Sequence, residues 1–226
     1  MRIWDVHPGY LARQQLLGEH REIHGLANIL IHNKKGYSRH PETLRWVGRL
    51  PALALRHCQL ACEMTLRGYQ DRSPLPVEGE VNWPEVWIDP PHRQFELLRE
   101  KYSVDNRSGR IPLPSNTQQL WAQHKYSVMA SDPKLYSVIG GEVAHGKYAK
   151  DMEGLALLLT EQLHVEPTSG RLRNALLHMW GYVSQEGEQP CEDDGMLLLR
   201  IQQLAKEQER TYLLASTALS DMAVWC

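Results

Sequence analysis

The stretch Gln15-Leu16-Leu17-Gly18-Glu19-His20-Arg21-Glu22-Ile23-His24-Gly25 decides the fold. Turned at 100° per residue, Leu16, Leu17, His20, His24 and Ala27 gather on one side, and Gly18, Glu22 and Gly25 on the other. That is the period of an amphipathic helix, and it predicts one from about Leu11 to Ile31. Two glycines inside a helix cost roughly 1 kcal/mol each relative to alanine. They leave a flat surface around Glu22. Either a second helix packs closely there and Glu22 is merely solvated, or the face stays open for a ligand.

Outward from this helix, the signals remain helical. His40-Pro41-Glu42 reads as a helix start, with proline in the first turn and an acid beside it. Pro51 kinks or restarts that helix, and Gly68 closes the run Ala52–Arg67. Residues 71–92, with Ser73-Pro74-Leu75-Pro76, Trp83-Pro84 and Asp89-Pro90-Pro91, read as a connector of little regular structure. A short helix is expected near Arg93–Tyr102, then a loop over residues 103–116. From Thr117 the pattern is helical to the end. Asn116 or Ser115 caps a helix through Ala130, Asp132-Pro133 starts another, and Met152–Leu163, Leu172–Val183 and Gly195–Glu209 follow. The expected fold is all-α, in two helical units: residues 1–92 with the connector, and residues 93–226.

Composition bounds the function. The 226 residues are 42% hydrophobic and 23% charged, with no apolar run long enough to cross a bilayer and no apolar signal core behind Met1-Arg2. Cys58, Cys62, Cys191 and Cys226 show no disulfide spacing, so reduced thiols in a cytoplasmic protein are expected. The net charge is −2, but it is unevenly distributed. Residues 1–72 hold 11 Lys and Arg against 6 Asp and Glu, and the remainder holds 14 against 21. A phosphate footprint is therefore expected in the first third, with the acidic remainder turned away from nucleic acid.

The basic segment has a shape suited to this. Lys34-Lys35-Gly36-Tyr37-Ser38-Arg39-His40 is a basic loop with one aromatic ring, and Arg45 and Arg49 follow one turn apart. The spacing suits phosphate contacts with a ring available for stacking, although a solvated loop would look similar. His20 and His24, four apart, invite a zinc reading. In the zinc-protease motif, however, the glutamate follows the first His directly, whereas Glu22 is two residues past His20, about 200° around the helix. The two histidines are expected to be core-facing or edge-packed, Cys58 and Cys62 to be buried, and no metal or cofactor is expected.

Residues 1–75 resemble the phage-type pyrimidine-dimer DNA glycosylases. The resemblance is carried by Arg2-Ile3, by Leu16-Leu17-Gly18-Glu19-His20-Arg21-Glu22-Ile23, by His40, and by the helix Ala52–Tyr69 ending in Leu66-Arg67-Gly68-Tyr69. It implies a DNA glycosylase with abasic-site lyase activity, an endonuclease acting on damaged double-stranded DNA. By this match the α-amine of Met1 is the nucleophile and Glu22 the catalytic carboxylate. Arg2 and Arg21 hold the damaged strand, and His40 lies near the DNA. A free α-amine titrates near about 7.7–8.0, so a useful fraction is neutral at physiological pH. The chain departs from the phage pattern twice. Arg2 is bulky enough to leave Met1 in place, and Gly25 stands where the family carries a further Arg.

Residues 117–184 resemble the YbgA-type helical domain, an uncharacterised bacterial module. The match rests on Leu120-Trp121-Ala122-Gln123-His124-Lys125-Tyr126, Ser131-Asp132-Pro133-Lys134-Leu135-Tyr136 and Arg171–Tyr182. Either His124, Lys125, Tyr126, Lys134, Arg173, Asn174 and His178 form a polar pocket between helices, or His124 and His178 merely cap or fill a bundle seam. The alternative to an enzyme is a non-catalytic helical protein that binds nucleic acid or nucleotides; a helical adaptor is the third reading.

Overall fold

The computed structural model describes residues 1–226, apart from the side chain of Asp105. Among the described residues there are helices and no strands. Helix α1 spans Arg13–Ile31, α2 Pro41–Arg45, α3 Leu50–Leu66 and α4 Pro91–Asp105. Then come α5 Thr117–Ser131, α6 Pro133–Ala144, α7 Met152–Gln162, α8 Ser169–Trp180, α9 Asp194–Glu207, α10 Thr211–Leu214 and α11 Ala218–Asp221. The last two short helices subdivide a stretch that the sequence marks only as helical.

Local chemistry sets most boundaries. Pro41 and Pro51 stand in the first turns of α2 and α3, where a missing N–H costs nothing. Asn116 Oδ1 accepts from Gln119 N at 2.8 Å, and Asp132 Oδ1 accepts from Lys134 N at 2.9 Å, capping α5 and α6. Gly68 follows α3 with φ +80°, a left-handed turn that a side chain would strain.

Two apolar cores hold the helices together. The first takes Ile3, Trp4, Tyr10, Leu16, Ile23 and Trp46, then Phe95 and Leu98 of α4, and Leu120, Ile139, Leu155 and Leu159 of α5 to α7. The second packs Leu66 and Tyr126 against Leu176, Trp180, Leu197, Ile201 and Leu219. The first core thus draws on both sides of residue 92. Fully burying one such side chain contributes about 1.5–3 kcal/mol, so contacts across that position are a large share of stability.

A buried polar knot joins α3 to the C-terminal helices. Glu63 Oε2 accepts from Arg110 Nη2 at 2.7 Å and from Ser220 Oγ at 2.6 Å, and Glu63 Oε1 accepts from Arg67 Nε at 2.6 Å. Burial alone would raise the Glu63 carboxyl; Arg110, with Arg67 and Ser220, brings it below the ordinary carboxylate value.

Candidate active site at the chain start

Residues 3–12, irregular except for one 3-10 turn at Pro8–Tyr10, are threaded through the first core, a role that nothing in their own pattern announces. Ile3, Trp4, Val6, Tyr10 and Leu11 are buried. The backbone groups of this segment find partners on distant elements, as buried polar groups must. Asp5 N donates to Gln94 Oε1 at 2.7 Å, and Ala12 N donates to Tyr102 Oη at 2.7 Å. Arg56 Nη2 donates to the Val6 carbonyl at 3.1 Å, and Arg67 Nη1 to the Leu11 carbonyl at 2.7 Å. Ile111 N donates to the Gly9 carbonyl at 2.9 Å. The loop carrying it approaches so closely that a Cβ on Gly109 would stand 2.5 Å from that same oxygen. Arg56 is itself fixed by a buried ion pair with Glu19 at 2.8 Å.

This clamp delivers the chain start to α1. Met1 N lies 4.0 Å from Glu22 Oε1; the Met1 side chain is 6% exposed and the Glu22 side chain 43%. The Met1 side chain is anchored, with Sδ accepting from Thr43 Oγ1 at 3.7 Å. Glu22 sits between Gly18 and Gly25, and a Cβ added at either would meet nothing within 4 Å. The two-glycine face is therefore open rather than a seam for a second helix. Arg21, beside Glu22, is exposed.

The remaining residues singled out in the basic segment divide sharply. Lys34, Lys35, Tyr37 and Arg39 are exposed, Tyr37 at 67%. Lys34 and Lys35 line a groove of about 310 Å³ that also reaches Thr43, the residue touching Met1. The others make contacts within the protein. Arg45, expected to contact phosphate, is buried between Asp5 and Glu42. Arg49 donates to the Trp83 carbonyl at 2.6 Å. Arg2 pairs with Asp89 at 2.6 Å and lies over the Trp4 ring, 4.3 Å from its centroid. His40 is a cap: its Nδ1 accepts from Glu42 N at 3.1 Å at the start of α2. Much of the positive charge in residues 1–72 therefore holds the fold together, which narrows the expected footprint to Arg21 and the 34–39 loop.

On α1, away from Glu22, a histidine cluster appears that the helix pattern only half reveals. His57 of α3 brings its Nε2 to 3.1 Å from His20 Nε2 and 3.2 Å from His24 Nε2. Asp71 reaches in from the connector, with Oδ1 3.2 Å from His20 Nε2 and Oδ2 3.7 Å from His57 Nε2. Ser73 Oγ lies 3.2 Å from His24 Nε2. Burial lowers His57 to about 4, outweighing the pull of Asp71, so the ring is neutral at ordinary pH. His20 and His24 are half-buried and pack against a third histidine across the helix interface, a partner that their own spacing does not announce. Cys58 is exposed and Cys62 half-buried, where buried thiols were expected; burial and the neighbouring Cys58 push the Cys62 thiol up to about 12.

The C-terminal polar pocket does not assemble. His124 is buried in the first core, where its Nε2 lies 2.9 Å from Tyr10 Oη, and burial lowers it to about 3. Lys125 lies 4.9 Å from the ring centroids of both Tyr126 and Tyr212. Arg173 pairs with Asp194 at 2.9 Å and lines a separate cavity of about 740 Å³. Lys134, Asn174 and His178 are exposed. His124 fills a seam, and the seven residues lie in different environments.

Among the described residues, no helix is long and apolar enough to cross a membrane. No curated protein and no solved structure matches the chain. Residues 125–208 match a family described as a protein of unknown function (DUF1722), and residues 1–77, which carry Met1, Glu22 and the histidine cluster, match the family described as pyrimidine dimer DNA glycosylase.

Proposed function

We propose that this protein is a DNA glycosylase with abasic-site lyase activity, acting on damaged double-stranded DNA through the Met1 amine and Glu22. The observation that carries the reading is the 4.0 Å separation of Met1 N and Glu22 Oε1 on an open helix face, within the segment that matches the glycosylase family. The two groups are close enough for the carboxylate to stabilise a cation forming beside the amine. They are too far apart to be locked in a direct hydrogen bond.

In this reading the neutral amine attacks C1′ of a damaged nucleotide. The N-glycosidic bond breaks, and its electron pair leaves with the base, which takes up a proton. The attacking nitrogen loses a proton, the sugar ring opens, and an iminium links Met1 to the strand. Removal of a C2′ proton then expels the 3′ phosphate by β-elimination and nicks the strand. Glu22 stabilises the cationic sugar and moves protons in the later steps. Access to C1′ requires the nucleotide to leave the stack. The exposed Arg21, Lys34, Lys35, Tyr37 and Arg39 suit a role in holding the distorted backbone, with electrostatic contact from the four cations and stacking from Tyr37.

The clamp on residues 3–12 supplies preorganisation, because an amine on a loose terminus would lose orientation entropy at every turnover. The test is incision of a duplex containing a pyrimidine dimer or an abasic site. The protein beginning at Met1 is compared with one carrying a single extra residue ahead of it. Incision by the first and at least a 100-fold loss in the second is expected. Equal incision by both removes the amine from the mechanism, and salt-dependent binding without incision by either leaves a nucleic-acid-binding module.

A further inference from the structure

We propose that His20, His24 and His57, with Asp71 as fourth ligand, form a binding site for one divalent transition-metal ion of the zinc type. Three imidazole nitrogens and one carboxylate make a set of borderline donors that such ions prefer. The ligand atoms of the three histidines all lie within 4.8 Å of one another, and two of the separations are 3.1 and 3.2 Å. Around a tetrahedral ion with bonds of about 2.0–2.1 Å, neighbouring ligand atoms stand about 3.3–3.4 Å apart. Asp71 stands beside these three nitrogens, with Oδ1 3.2 Å from His20 Nε2 and Oδ2 3.7 Å from His57 Nε2, so a small shift of its carboxylate would complete the set.

The arrangement is hard to satisfy with protons alone. A neutral imidazole nitrogen carries either one hydrogen or one lone pair. His57 Nε2 faces two other Nε2 atoms and a carboxylate oxygen together, and one proton or one lone pair cannot serve all three well. A cation at the common point accepts a lone pair from every nitrogen and offsets the Asp71 charge. The site is also reachable: His57 is 2% exposed, whereas the His20 and Asp71 side chains, at 12% and 15%, form a rim open to solvent.

The ligands come from α1, from α3 and from the connector after α3. An ion here fixes the roll of α1, and with it the face that presents Glu22. It would act as a staple, through position rather than by touching a substrate. The site stands independently of the Met1 chemistry, and its test uses no DNA.

The experiment takes untagged full-length protein, stripped with a chelator, and titrates zinc against a chromophoric competitor. Cobalt is added in parallel for its visible spectrum. His24→Ala and Asp71→Asn are the variants, because His24 and Asp71 are not deeply buried, and matched circular dichroism confirms that they fold. The expected result is one zinc per chain and a cobalt spectrum of tetrahedral intensity. The melting temperature should rise with zinc and fall with chelator, and zinc affinity should drop on the order of 100-fold or more in His24→Ala. Wild-type affinity no greater than that of His24→Ala, or a cobalt spectrum unchanged from the aqueous ion, overturns the proposal.

Discussion

The α-amine of Met1 and the carboxylate of Glu22 stand 4.0 Å apart, and each is held by a different part of the fold. The amine is placed by a buried segment tied to α3 and α4, and the carboxylate by a half-exposed position between two glycines of α1. Neither group depends on the other for its position. Each can therefore be changed separately, and the consequences differ.

Glu22→Gln keeps the shape of the site and removes the charge. Incision of damaged duplex is expected to fall by a factor on the order of 100 or more, while duplex affinity changes by only a few-fold. A fluorescence-anisotropy titration beside a gel incision assay separates the two. Incision retained within a few-fold would show that Glu22 is a solvated surface residue.

The open face makes an opposite pair of predictions at one glycine. Gly25→Ala should stabilise α1 by up to about 1 kcal/mol, because alanine is the better helix former and nothing lies within 4 Å of the new methyl. Gly25→Leu should fold equally well yet weaken damaged-duplex binding at least tenfold by standing where the strand approaches. Urea unfolding and anisotropy measure these effects. Unchanged affinity in Gly25→Leu would place DNA on some other surface.

Lys34 and Lys35 are exposed on the groove that reaches Thr43. If they neutralise phosphates, replacing both with alanine should weaken binding to all duplexes about equally. The slope of log affinity against log salt should fall by about 1.8. A slope that does not move contradicts the footprint.

Asp221 gives a pH prediction with a definite sign. Burial raises its carboxyl to about 7, a hydrogen bond from Ser127 offsets part of this, and Oδ1 has no hydrogen-bond partner among the described residues. A carboxyl whose folded pKa lies above its unfolded value favours folding when protonated. Its contribution is full below about 4 and is lost as pH rises toward 7. Asp221→Asn should therefore be more stable than the wild type at pH 8, with the gap closing by up to about 1.4 kcal/mol per pH unit below 7. Denaturant unfolding at several pH values decides, and a gap independent of pH would contradict this account.

What the sequence discloses follows from the range of the forces involved. Pro41, Pro51, Gly68, Asn116 and Asp132 mark helix ends because their effects act within a few residues. The Glu22 face between Gly18 and Gly25 is legible for the same reason, although only the structure shows that it is open. Residues 3–12 carry no helical or alternating pattern, and their partners lie roughly 50 to 100 residues away at Arg56, Gln94, Tyr102 and Ile111. Their burial is consequently invisible from the segment itself. Arg45 and Arg49 look like a cationic helix face until Asp5, Glu42 and the Trp83 carbonyl take them. His20 and His24 declare a shared face, but the third nitrogen arrives across a helix interface at His57.

The most direct test of the central claim is borohydride reduction of the protein beginning at Met1, mixed with duplex containing an abasic site, followed by peptide mapping of the trapped adduct. The mechanism proposed here predicts a covalent adduct on the Met1 peptide, lost when one residue is added ahead of Met1. An adduct on a lysine, or no adduct from folded protein with a free terminus, would contradict it.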